Sequence, residues 1–140
     1  MDLQMTLEEL SEFLDEVFPQ MRGEFTIETL EPMALRVRQH ISEKHLRPGG
    51  TVSGPTIFAL ADVAVYMGVL AMIGREALAV TTSSSIDFMR KPTAGADLMA
   101  DCRLLKLGRV LAVGDVLIYS DGDNRPVARA SMTYSIPPAR

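Results

Sequence analysis

The sequence predicts a single α+β domain in which one antiparallel sheet wraps around a long helix shielded from water. Three observations predict it. Residues 55–73 are apolar at almost every position, so a helix there has no polar face to show to solvent. Four later runs, 79–88, 97–106, 110–120 and 127–136, have strand length and are rich in Val, Ile, Thr, Ser and Tyr. Two of the connections between them, Lys106-Leu107-Gly108-Arg109 and the stretch 121–126, have the composition of hairpin turns, which makes the flanking strands antiparallel neighbours.

The elements follow in order. Thr6 opens a helix within residues 1–20, with Glu8 and Glu9 in its first turn and Leu7, Leu10, Phe13, Leu14 and Phe18 on one face. Pro19 closes it. Between Phe25 and Arg38, two short alternating runs meet at Glu31-Pro32 and read as strands joined by a turn. A loop with Pro48, Gly49 and Gly50 then leads into the central helix, expected over 53–73. Ser53 can cap it, Gly54 allows close backbone approach, and Pro55 takes the first-turn position where a missing N–H costs nothing. Gly74 stops it. In 127–136 the alternation is nearly perfect, as in a sheet with one buried and one wetter face.

Composition bounds the function. With 140 residues and 47% hydrophobic content, one domain over 1–140 can bury a real core. A net charge of −4 without a basic stripe argues against a nucleic-acid partner. Asp62 interrupts the apolar run 55–73, which costs on the order of 2.5–3.5 kcal/mol on membrane-insertion scales, so a buried soluble helix is expected and not a membrane span. One cysteine, Cys102, cannot form an internal disulfide, and the first six residues lack the basic start and apolar core of a secretory signal. A cytoplasmic location is therefore expected.

Asp62 is the only ionisable carboxylate in a greasy helix, and an acid so placed needs donors or a raised pKa. A structural aspartate is the bland alternative. Gly54 offers an unpaired N–H at a helix N-terminus, where partial positive charge suits a developing oxyanion. Tyr66 lies one turn beyond Asp62 and either lines the same cleft or belongs to the core. His40 and His45 read as surface or core residues rather than ligands, and no metal is expected. With no phosphate loop and no dinucleotide fingerprint, no cofactor is expected.

Arg47-Pro48-Gly49-Gly50-Thr51-Val52-Ser53-Gly54-Pro55 leading into Leu60-Ala61-Asp62-Val63-Ala64 resembles the hotdog-fold acyl-CoA thioesterases of the phenylacetic-acid-degradation type. So do residues 81–92, with Phe88-Met89-Arg90-Lys91-Pro92 at their end, and the turn Leu107-Gly108-Arg109. The resemblance implies hydrolysis of an acyl-CoA thioester, with Gly54 polarising the carbonyl, Asp62 attacking it or activating water, and Thr81 positioning the water or the carboxylate. It implies that Arg90, Lys91 and Arg109 meet coenzyme A phosphates, that Ser83 lies on the substrate-binding strand, and that Phe58, Tyr66 and Met89 suit an apolar acyl group. It further implies a homodimer, with dimers able to pair into a tetramer, and with Asp62 of one subunit facing Gly54 of the other. Ser53, Pro55 and Arg47 depart from the family's His, second Gly and loop Asn. Pro55 has no N–H, so Gly54 alone remains as donor from that pair, and Arg47 can stabilise negative charge or pair with Asp62. Without the His, a dehydratase or hydratase is disfavoured; a non-catalytic acyl-CoA-binding protein is the remaining alternative.

Overall fold

The computed structural model describes residues 2–138. Helix α1 spans Leu7–Val17 and is capped by Thr6, whose hydroxyl accepts from the Glu9 N–H while the Glu9 carboxylate accepts from the Thr6 N–H. Leu10 and Phe13 are its buried anchors. A short 3₁₀ turn, Pro19–Met21, leads to strands β1 (Phe25–Glu31) and β2 (Ala34–Gln39). A second 3₁₀ turn, Glu43–His45, precedes the central helix α2, Gly54–Ile73. Strands β3 (Val80–Phe88), β4 (Leu98–Leu107), β5 (Leu111–Ser120) and β6 (Ala128–Ser135) complete the chain.

All six strands form one antiparallel sheet in the order β1-β2-β4-β5-β6-β3. Every predicted helix and strand is present, with ends displaced by a residue or so; the two 3₁₀ turns are additions too short for periodicity to reveal. The sheet order was not readable from turn lengths, because β3 does not pair with β4, which follows it, but crosses to the far edge beside β6.

Helix α2 lies in the hollow of the sheet against β2, β4, β5 and β6. Leu60, Ala61, Ala64, Val65, Val69 and Leu70 are almost wholly removed from water. It is long and apolar enough to cross a membrane by composition, yet 72% of its most apolar window is buried inside the protein, as in the core helix of a folded domain. It packs tightly against Gly114 of β5, where a Cβ would lie 3.0 Å from both Val65 methyl groups.

Candidate active site

Phe58, Asp62 and Tyr66 recur every four residues and form one stripe along α2. Asp62 is half-buried and Tyr66 buried. What meets this stripe is decided by a β-bulge. In the β3–β6 register Thr81 opposes Tyr134 and Ser83 opposes Thr133, so Thr82 is the extra residue. The bulge reverses the alternation at that end of β3. Thr81 therefore shares the inner face with Tyr134, while Ser84, Ile86 and Phe88, opposite Met132, Ala130 and Ala128, keep that face further along.

Three side chains consequently converge. The Thr81 hydroxyl donates to Asp62 Oδ1 at 2.5 Å, and the Tyr134 hydroxyl lies 2.9 Å from the same oxygen and 3.0 Å from the Asp62 carbonyl. Asp62 Oδ2 has no hydrogen-bond partner among the described residues, nor is it one of their buried unsatisfied atoms. One carboxylate oxygen is thus held and the other is open. Tyr134 is 3% exposed and stacks on Tyr66 with ring centroids 6.0 Å apart, and Tyr66 donates to the Ala77 carbonyl at 2.7 Å. Burial first, with the Asp62 charge adding to it, pushes the Tyr134 phenol far above its ordinary value; burial and the Glu76 charge raise Tyr66 as well. Both remain hydroxyl donors at neutral pH.

The start of α2 forms a second feature. Gly49 and Gly50 turn the preceding loop with φ of 103° and 83°, and Arg47 N–H donates to the Thr51 carbonyl at 2.8 Å. Ser53 N–H donates to the His45 carbonyl at 2.9 Å, fixing the loop to the helix start. Ser53 Oγ accepts from Thr56 N–H at 3.3 Å, so this hydroxyl is a cap. Gly54 N–H has no acceptor among the described residues, and Pro55 has no N–H to offer. The Phe88 ring stands 3.5 Å from where a Gly54 Cβ would be. Strand β3 therefore touches the Asp62 cluster at one end and the helix mouth at the other.

Other predicted site residues lie apart from the acid. Ser83 is exposed on the outer face of β3, because the bulge puts its neighbours Thr81 and Ser84 inward. Arg47 is exposed on the loop and makes no ion pair among the described residues. Arg90, whose guanidinium donates to the Pro126 carbonyl at 2.9 Å, and Lys91 are exposed beyond β3; Arg109 is exposed in the β4–β5 turn. His45 is buried, with Nδ1 accepting from Ser42 N–H at 2.9 Å and Nε2 facing Glu24 at 3.4 Å. His40 Nε2 lies 2.7 Å from the Thr26 hydroxyl. Among the described residues no cluster of three or more His, Cys, Asp or Glu could hold a metal ion.

Tyr134 is the residue that sequence reasoning passed over. Its alternating strand marked it as inward-facing, but only the crossover of β3 and the bulge at Thr82 show that it meets Asp62. The surface carries a groove of about 910 Å³ on the sheet face lined by Arg36, Asp101 and Arg103, and a cleft of about 270 Å³ between α1 and α2 lined by Leu14, Phe18, Val63 and Met67. Asp62 lines neither.

Comparison with known proteins gives the family. The family model described as thioesterase superfamily matches residues 49–127. A candidate thioesterase from a Silicibacter species is 61% identical over 99% of this chain and 96% of its own, with a TM-score of 0.93. A point mutant of the phenylacetic acid degradation protein of Thermus thermophilus is 28% identical over 85% of this chain and 99% of its own, TM-score 0.72. A Streptococcus mutans protein bound to acetyl-CoA is 26% identical over 85% and 93%, TM-score 0.74. A search of curated protein sequences gives no match. With its hotdog-type sheet wrapped around a central helix and these relatives, the chain belongs to the thioesterase superfamily.

Proposed function

We propose that this protein hydrolyses an acyl-CoA thioester to the free acid and coenzyme A in the cytoplasm, with no cofactor, at a site shared by two copies of the chain. The observation that carries the reading is the Asp62 carboxylate, held through one oxygen by two hydroxyls and open at the other. As general base, that open oxygen takes a proton from water as the water attacks the thioester carbonyl; as nucleophile, it attacks the carbonyl itself and the resulting anhydride is then hydrolysed. In either course the carbonyl oxygen becomes negative and the acceptorless Gly54 N–H is suited to receive it. Collapse expels the coenzyme A thiolate, which leaves as the thiol after taking the proton Asp62 gathered from water or, in the nucleophilic course, one from solvent.

Geometry supports two copies. Asp62 and Gly54 are eight residues apart on one helix, or about 12 Å along the axis, too far to serve a single carbonyl. Strand β3 is the sheet edge beyond β6, and its outer backbone side is unpaired among the described residues. Two copies pairing antiparallel along β3, with Ser84 opposite Ser85, would set Thr81 of one copy against Phe88 of the other. The acid of each would then face the helix mouth of its neighbour. Exposed Arg90, Lys91 and Arg109 are the cations offered to coenzyme A phosphates, and Arg47 on its loop would approach the acid from the other copy. Phe58, Tyr66 and Met89 favour an apolar acyl group. The acetyl-CoA held by the Streptococcus mutans relative supports the ligand class.

The test is a panel of aryl and fatty acyl-CoA esters with thiol detection. Wild-type protein is expected to release coenzyme A, and Asp62→Asn to lower kcat by at least about a thousandfold with the fold and assembly intact. Near-normal turnover by that variant would overturn the role of the acid. Binding of acyl-CoA by the wild type without thiol release would make the protein a carrier instead.

A further inference from the structure

We infer that Tyr134 is a positioning residue for the reaction: with Thr81 it holds Oδ1 of Asp62 and so assigns the chemistry to Oδ2. The inference rests on the hydrolytic reading above and deepens it, since that reading requires a carboxylate but does not say which oxygen works or what aims it.

Four observations converge on the phenol. First, its proton is shared between two acceptors on one residue, the Asp62 carbonyl at 3.0 Å and Oδ1 at 2.9 Å. A contact to side chain and backbone together fixes the turn of the carboxyl group relative to α2. Second, Thr81 donates to the same Oδ1 from the facing strand, so this oxygen receives two hydroxyls and Oδ2 none. Oδ1 is spent on orientation, and the oxygen with unused lone pairs is the better base or nucleophile toward an incoming water or carbonyl. Third, the phenol has no freedom to look elsewhere: the ring is 3% exposed, stacked on Tyr66, and Tyr66 is itself tied to the Ala77 carbonyl and meets Phe18 edge-on at 6.5 Å. Fourth, burial and the Asp62 charge keep the phenol protonated well into alkaline pH, so it serves as a donor across the working range and never as a proton acceptor.

Hydrophobic packing alone would be met by phenylalanine. The same ring would fill the same space, and no polar group would need a partner at that depth. The hydroxyl is therefore the informative atom. It donates to Oδ1 of the carboxylate and so fixes which oxygen faces the cleft.

Tyr134→Phe with Asp62→Asn in parallel tests the inference. The loss of one hydrogen bond to a charged group predicts that Tyr134→Phe lowers kcat about ten- to a hundredfold, with KM changed less than about twofold. A purely structural tyrosine would lower the melting temperature and leave kcat of the folded protein in place. If Asp62→Asn is inactive while Tyr134→Phe matches the wild type in kcat, the Tyr134 inference falls and the hydrolytic reading stands. If Asp62→Asn turns over normally, the reading itself falls. Wild-type protein gives an independent readout should the phenylalanine variant fold poorly. Its Tyr134 hydroxyl proton is expected as a slowly exchanging downfield resonance that shifts in Asp62→Asn, and a fast-exchanging hydroxyl overturns the inference.

Discussion

Asp62 and its partners show what a single residue owes to its surroundings. The acid was conspicuous in the sequence because nothing else in α2 carries a carboxylate, and the helix start was legible because Ser53, Gly54 and Pro55 each suit one backbone position. Tyr134 was not legible, since its meeting with Asp62 depends on a bulge that no local pattern announces. Gly114 makes the same point about packing. A methyl there would sit 3.0 Å from both Val65 methyls and 3.3 Å from Leu104, inside ordinary contact on a rigid strand. Gly114→Ala is expected to cost about 1–3 kcal/mol in chemical denaturation, and Val65→Ala in the same chain to recover part of it. Equal stability of Gly114→Ala and wild type would show that the helix moves off the sheet without penalty.

At the scale of elements, one polar clip joins four parts of the sheet. Asp97, just ahead of β4, accepts from the Ile41 N–H at 2.9 Å and from Arg38 at 3.2 Å, while Arg38 also reaches Glu28 of β1 at 2.8 Å and Asp121 after β5 at 2.9 Å. Burial works against the Asp97 charge, but the Ile41 N–H and the Arg38 guanidinium outweigh it and hold the carboxyl below its ordinary range. A lowered folded value means that the stabilisation is present at neutral pH and is lost as pH falls through it. Asp97→Asn is expected to cost about 1–2 kcal/mol at neutral pH and to flatten the decline of melting temperature on acidification; parallel acid limbs would remove Asp97 from the account. The element boundaries were readable from period and caps. The clip was not, because Arg38, Asp97 and Asp121 are far apart in sequence and carry no motif.

For the whole molecule, the decisive question is whether one chain or two build the site. Ser53 has ψ of 152°, which a following proline tolerates, so Gly54→Pro removes the N–H without forcing the chain to turn differently. Gly54→Pro and Asp62→Asn are each expected to be inactive alone. Mixed and reassembled at equal amounts, they should recover about a quarter of wild-type activity, since half the dimers are mixed and each of those has one intact site of two. Zero recovery despite proven subunit exchange would place both groups in one chain. The fold class was visible in the sequence because periodicity, turns and an all-apolar helix agree. The pairing edge was not, because it depends on β3 crossing to the far side of the sheet.

The stack of Tyr66 on Tyr134 has an optical consequence. The chain has no tryptophan and three tyrosines, so ultraviolet emission comes from tyrosine alone, and two of the three emitters touch each other beside Asp62. A thioester settling against that pair would change their quenching with no brighter residue to mask it, which makes the unlabelled protein its own fluorescent reporter of occupancy.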